Sequence, residues 1–276
     1  MEISLQVTLA VLGAALLHAI WNASVKGSED KGLDTVAIAA GSGLVALAAA
    51  AFLPVPASAS WPWLAGSAAV HILYFVFLAG AYRWGDLSYS YPIMRGGGPL
   101  IVAIAGIFFF GEMPSAKAAI AMALICAGIL AFAHGSHDRR ATWFAIGNAI
   151  VIAAYTIIDA QGARASGAPV AYTAWFFVAN GIVITAMGFM QRGPALPAYL
   201  RRHWLRSIGG GACAVGAYAI ALWAMTRAPV ALVATLRETS VIFAAVIAFV
   251  VFKEKLTGQR IAATCAVLAG LVALRI

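Results

Sequence analysis

Charge is scarce in this chain. Lys, Arg, Asp and Glu make up 10% of its 276 residues, against a hydrophobic fraction of 63% and a mean hydropathy of +0.92. A soluble domain of this length needs a far more polar surface. Long polar stretches are lacking too, which leaves no loop able to hold a second domain. Cysteine is rare, and Cys126, Cys213 and Cys265 fall in apolar runs. They read as small packing residues, not as disulfide partners or metal ligands. No His/Cys/Asp cluster has metal-ligand spacing, no G-x-x-x-x-G-K-[ST] cradles a nucleotide, and no ladder of arginines suggests a voltage sensor. RGGGP at 95–99 has neither the spacing nor the setting of a phosphate loop. A nucleophile–base constellation is missing, so no catalytic residue, metal or cofactor is assigned and an enzyme is not expected. MEISLQ has no positive n-region and no A-x-A site, which argues against a cleaved signal peptide.

What the chain has instead is a succession of apolar runs, each long enough to cross a bilayer as a helix. Ten lie near 5–25, 35–53, 62–82, 88–110, 114–134, 142–162, 170–190, 204–226, 229–251 and 258–274. The reading is one all-α transmembrane domain over 1–276, with the lipid bilayer as a partner. A net charge of +8 would point to nucleic acid in a soluble protein. Here it marks the cytoplasmic ends of spans, and no nucleic-acid partner is expected. One set of alternating loops holds 12 Lys and Arg and the opposite set holds 4, with Arg95 and Arg237 counted as intramembrane candidates. The positive-inside rule then places the rich side in the cytoplasm and both termini outside.

The chain also carries a repeat. MRGGGPLIVAIAGIFFFGEMPS aligns with LRETSVIFAAVIAFVVFKEKLT. Arg95 and Glu112 are 17 residues apart, as are Arg237 and Glu254, and the same offset of 142 brings Ser115 onto Thr257 and Gly128 onto Gly270. Two units, about 1–134 and 142–276, would each hold five spans. An odd number of spans forces the second unit to enter the membrane inverted, the architecture of many secondary transporters.

These features resemble the drug/metabolite transporter superfamily, and within it the ten-helix EamA-type exporters that include bacterial aromatic amino acid exporters. The resemblance covers nearly the whole chain. It implies a bacterial inner-membrane carrier that acts as a monomer and exports amino acids, aromatic or apolar ones among them, and related small metabolites by alternating access. Its alternative is an exporter of cationic drugs. The second copy departs from the first, with Val241 in place of Pro99 and Lys253 in place of Gly111. Small multidrug relatives couple to protons through a carboxylate in the first helix. LGAALLHAIWN has none, so that route does not carry over.

Polar and aromatic residues inside spans are the candidates for handling a substrate, because lipid does not tolerate them without a partner. His18, Trp21 and Asn22 share one helix face by spacing, as do His71, Tyr74 and Phe75. Tyr82, Arg95, Tyr155, Tyr218, Trp223 and Arg237 complete the predicted substrate site. Rings suit a ligand with an apolar side chain while a few polar groups orient it. Asp159 could hold a substrate ammonium or be a solvated residue near a span end. Trp61, Trp63, Trp84, Trp143 and Trp204 read as interfacial belt residues.

Two readings stand for Arg95. Seventeen residues of helix rise about 26 Å, and the hydrocarbon core is about 30 Å thick. With Glu112 in one interface, Arg95 reaches the other and snorkels to water; otherwise it faces an internal cavity and attracts a carboxylate. The same applies to Arg237 from the opposite side. Glu112 and Glu254 are expected to cap helices or pair with nearby lysines. Gly96, Gly97, Gly98 and Pro99 form a candidate hinge; close helix packing is the competing role for them and for Gly209 to Gly211.

Overall fold

The computed structural model describes residues 3–133, 135, 137–253 and 258–273. Glu254, Lys255 and Thr257, used in the repeat and the charge count, lie outside the described residues, as does Arg275. Each of the ten apolar stretches is helical. The helices are α1 (Leu5–Lys26), α2 (Lys31–Ala50), α3 (Trp61–Trp84), α4 (Leu87–Phe110), α5 (Ala116–Leu130), α6 (Arg139–Ala165), α7 (Pro169–Arg192), α8 (Ala195–Arg202), α9 (Trp204–Met225), α10 (Val230–Arg237), α11 (Ser240–Val250) and α12 (Gly258–Ala273). Eight segments, counting α10 and α11 as one, are long and apolar enough to cross a membrane. α5 and the described part of α12 are shorter apolar helices.

The boundaries follow local chemistry. Ser4 Oγ accepts the Val7 N–H at 3.3 Å, Asp30 Oδ1 that of Leu33 at 2.9 Å, and Ser115 Oγ that of Ala118 at 3.3 Å. Each side chain takes one of the donors that a helix start leaves unpaired. Pro62 and Pro169 sit in the first turns of α3 and α7, where no intrahelical N–H is needed. α4 stops at Gly111 with φ +63°. The equivalent residue of the second sequence copy, Lys253, takes φ +56° although it is not glycine. The turn geometry is shared where the residue types differ.

The packing is that of a membrane protein. The interior is rich in alanine, while Phe52, Phe108 and Met190 are 91%, 81% and 85% exposed on the perimeter. Lipid tails are as apolar as leucine, so helices associate through small residues that let backbones approach. A Cβ on Gly41 would collide with the Ser207 carbonyl of α9, and one on Gly211 with the Ser42 backbone of α2. Gly181 of α7 meets Gly43 of α2 in the same way. α2 is thus wedged against α7 and α9. α1 packs on α9 and on α10–α11, just as α6 packs on α3 and α4; α5 lies along α12. Trp61, Trp63, Trp143 and Trp204 are exposed near helix ends, and Arg140 stacks over Trp84 at 4.5 Å.

The loops sort into two faces. On one, the Ala57 N–H donates to the Ser166 carbonyl at 3.2 Å, and Glu112 reaches Arg164 at 2.8 Å. On the other, the Asp138 N–H donates to the Trp84 carbonyl at 3.0 Å, Asp30 faces Arg192 at 3.5 Å, and Gly27 lies against Phe252. The second face carries the Lys- and Arg-rich loops.

Three features differ from expectation. α8 is an unforeseen short helix in the α7–α9 connection, with Leu196 buried and Arg201 and Arg202 exposed. Gly96 to Pro99 do not interrupt α4, which runs unbroken through Pro92 and Pro99. Two of them sit at close helix approaches: a Cβ on Gly96 would meet Leu130 Cγ at 2.9 Å, and one on Gly98 would meet Ile152 Cγ2 at 2.9 Å. The break falls in the other copy, at Glu238–Thr239 between α10 and α11. There Glu238 N–H bonds Thr235 C=O, Thr239 N–H bonds Leu236 C=O and Val241 N–H bonds Glu238 C=O, one tightened turn of i to i+3 bonds.

Candidate functional site

The helix break places an acid opposite an arginine. Arg95 sits eight residues into α4, about 12 Å from the Lys- and Arg-rich face. Glu238 sits eight residues beyond the start of α10, about 12 Å from the opposite face. They meet inside the bundle, with Arg95 Nε 2.9 Å from Glu238 Oε2 and side-chain exposures of 13% and 6%. Arg95 therefore does not snorkel. α4 begins two turns before it, so it never reaches the interface, and Glu238 supplies the neutralising charge inside. Nε and Oε2 have no other hydrogen-bond partner, so each depends on this one contact. Arg237 does not snorkel either; its guanidinium lies over the Tyr218 ring at 5.2 Å.

A second acid anchors the other side. Asp159 is fully buried on α6. The Tyr172 hydroxyl donates to its Oδ1 at 3.0 Å, and the Tyr218 hydroxyl donates to its Oδ2. Between the two acids lies a box of rings. His71 stands 4.4 Å from Tyr155 and 4.9 Å from Phe176, Tyr74 lies 6.1 Å from Tyr155, and Phe176 lies 5.5 Å from Tyr218. The His71 Nδ1–H donates to the Ser67 carbonyl at 2.9 Å, which leaves Nε2 as the acceptor of the neutral ring. His18 lies in the field of Arg95 and Arg237 from the α1 side, and its Nδ1 accepts the Trp21 indole N–H at 3.3 Å. Tyr91, Tyr155 and Tyr74 all lie in the field of Arg95.

A cavity lies toward the Lys- and Arg-rich face. It measures about 230 Å³ and opens between α1 and α11, lined by Ala19, Asn22, Lys26, Val241, Ala245 and Phe252 among others. Its wall at Ala19 and Val241 is next to His18 and one turn along the chain from Glu238. The opposite face is closed. There α10 is buried along Val230–Leu236 among α1, α4 and α9. Glu112 ties that end together: Oε1 takes Arg164 Nη2 at 2.8 Å and Oε2 takes the Val230 N–H at 2.7 Å, while Arg164 Nε donates to the Met225 carbonyl at 3.0 Å. Glu112 thus caps a helix, as one of its two expected roles had it, and its ionic partner is an arginine in place of a lysine.

The profile of the EamA-like transporter family matches residues 139–276, half of the chain. The chain belongs to the EamA-like transporter family. Membership makes it a membrane transporter of the drug/metabolite superfamily and leaves its substrate undefined. A crystal structure of a protein shares the fold with a TM-score of 0.74 at 20% identity, over 97% of this chain and 96% of the other. No curated protein matches.

In this EamA-like transporter, the residues predicted from sequence divide into two groups. His18, His71, Tyr74, Arg95, Tyr155, Tyr218 and Arg237 converge on the interior. Trp21 and Asn22 hold His18 and its helix, Asn22 through the His18 carbonyl at 2.7 Å. Phe75 packs edge-on to Tyr74 at 5.2 Å. Tyr82 is 37% exposed, with its hydroxyl in the field of Tyr74, Tyr91 and Arg95. Trp223 lies at the closed end, under Arg227 at 4.8 Å. Tyr172 and Phe176 were missed, while Glu238, Tyr91 and Asp159, polar residues legible inside the spans, were left out of the predicted site. Helical spacing carried a signal for some: Tyr91 is four residues before Arg95, and Asp159 four after Tyr155. Among the described residues no group of His, Cys, Asp and Glu converges to hold a metal.

Proposed function

We propose that this transporter exports amino acids with apolar or aromatic side chains, and related small metabolites, across the bacterial inner membrane by alternating access. The observation that carries the reading is the ring box set between an arginine-bearing end and an acid-bearing end. An α-amino acid brings a carboxylate suited to Arg95 and Arg237, an ammonium suited to Asp159, and a side chain suited to His71, Tyr74, Tyr155 and Phe176. The substrate enters from the cytoplasm, the Lys- and Arg-rich side, and both termini lie in the periplasm. Two inverted five-helix units form the carrier. The matched packing of α1 and α6 and the shared turn at Gly111 and Lys253 support that reading. The unit of transport is a monomer.

Purified protein in liposomes, offered a panel of amino acids with and without a pH gradient, tests the proposal. Flux of phenylalanine, tyrosine or leucine above empty liposomes is the expected result; no flux for any amino acid rejects it. The fully buried Asp159 beside four rings favours one other substrate class, organic cations. For a cation exporter, Asp159→Asn abolishes drug efflux and the amino acid panel stays at background.

A further inference from the structure

We infer that Glu238 is an internal stand-in for the substrate's carboxylate, neutralising Arg95 whenever the carrier is empty. The inference rests on the amino acid reading above. Arg95 stays charged under all biological conditions. It lies inside the bundle, where an uncompensated charge opposes any rearrangement that keeps it from water. A carrier must pass through such an occluded state in both directions, loaded and empty. When loaded, the substrate carboxylate compensates Arg95. When empty, something on the protein must do so, and Glu238 is placed for it.

Three observations make Glu238 an exchangeable partner, not a permanent one. Glu238 meets Arg95 through Nε at 2.9 Å, and a carboxylate that engages the guanidinium at two nitrogens competes with that contact. Glu238 sits on the single tightened turn between α10 and α11, where the backbone departs from regular helix and is poised to adjust. The cavity wall includes Val241, one turn along the chain from Glu238, so the pair lies close to open space on that side. Asp159 is unsuited to the role because both its oxygens are already held by the Tyr172 and Tyr218 hydroxyls.

The consequence is kinetic. A carrier with an internal counter-ion returns empty and supports net efflux; without it, only substrate-loaded forms cross and transport becomes exchange. The test loads proteoliposomes with labelled phenylalanine and compares net efflux into substrate-free buffer with exchange against external phenylalanine. Wild-type protein carries out both. Glu238→Gln keeps exchange within about three-fold and loses net efflux by about ten-fold or more. Parallel loss of both modes in monodisperse protein, or full retention of net efflux, overturns the inference. Should Glu238→Gln not purify as a monodisperse species, Arg95→Gln/Glu238→Gln decides. With the Arg95 charge removed together with its partner, its ratio of efflux to exchange matches wild type despite weaker apparent affinity, and a lower ratio overturns the inference. Wild-type protein that moves phenylalanine in neither mode rejects the amino acid reading, and this inference with it.

Discussion

Glu112 offers the sharpest stability test because its two oxygens do different work. Oε2 caps α10, whose own N-cap position is Pro229 and supplies no side-chain acceptor. Loss of such a cap costs about 1 kcal/mol, and the carboxylate gains further from the helix N-terminus. Oε1 holds Arg164, whose side chain is 31% exposed and which keeps its bond to the Met225 carbonyl and its place over Phe110. That exposure reduces a charge-assisted bond to about 1 kcal/mol. Glu112→Gln retains an amide oxygen for the Val230 N–H and loses mainly the ionic part, about 1 kcal/mol. Glu112→Ala loses both, about 2–3 kcal/mol. Equilibrium unfolding in mixed SDS and maltoside micelles reads these differences directly. A double-mutant cycle with Arg164→Ala should give a coupling of about 1 kcal/mol. If Glu112→Ala costs no more than Glu112→Gln, the cap at Val230 contributes nothing and the reasoning fails.

Gly211→Leu should prevent folded protein from accumulating, since its Cβ meets the Ser42 backbone, whereas Gly209→Leu should be tolerated because nothing lies within 4 Å of that site; monodispersity after solubilisation separates the two. Gly111→Ala should cost about 1 kcal/mol and Lys253→Gly should gain up to about 1 kcal/mol, opposite signs at equivalent turns that both need a left-handed residue. Tyr155→Ala should raise the apparent KM for phenylalanine by about ten-fold while changing that for alanine little, as expected for a lost ring contact; equal effects on both would remove Tyr155 from the side-chain pocket. Burial and the Asp34 carboxylate, 3.1 Å away, hold the Tyr199 hydroxyl above its ordinary pKa. The folded state thus keeps that proton after the unfolded chain has lost it, so this contribution to stability fades as pH rises past about 10. Tyr199→Phe should remove that alkaline slope.

The helices were legible because lipid demands it. A backbone in hydrocarbon must satisfy its own hydrogen bonds, so apolar runs of the right length become helices and their ends follow the caps and prolines. α8 escaped notice because eight residues with two prolines nearby and two arginines inside look like a polar connection. Its amphipathic face shows only when Leu196 is seen buried. The break at Glu238–Thr239 escaped notice too. Glycine and proline in a row signal flexibility in water, but between packed helices they signal close approach, and Gly96 and Gly98 are filled against Leu130 and Ile152. Nothing in LRETS is a conventional breaker; the tightened turn there forms where Glu238 faces Arg95.

The site was half legible for a reason that concerns pairing. Residues on one helix announce themselves by spacing, and the His71–Tyr74 and Tyr155–Asp159 sets could be read that way. Partners on different helices cannot. Arg95 and Glu238 are 143 residues apart, and no period links them. A balance of charge would have narrowed the choice. A buried arginine needs an acid, and inside the apolar runs of the central helices the acids on offer are Asp159 and Glu238. Asp159 is already enclosed by tyrosines from α7 and α9. The remaining acid sits beside Arg237, from which it points away because adjacent helical residues diverge. Read together, these facts make Glu238 the partner of Arg95. The pair joins an arginine of α4 to an acid of the α10–α11 turn, so any movement of α4 against that turn must either preserve it or replace it with a charge from outside.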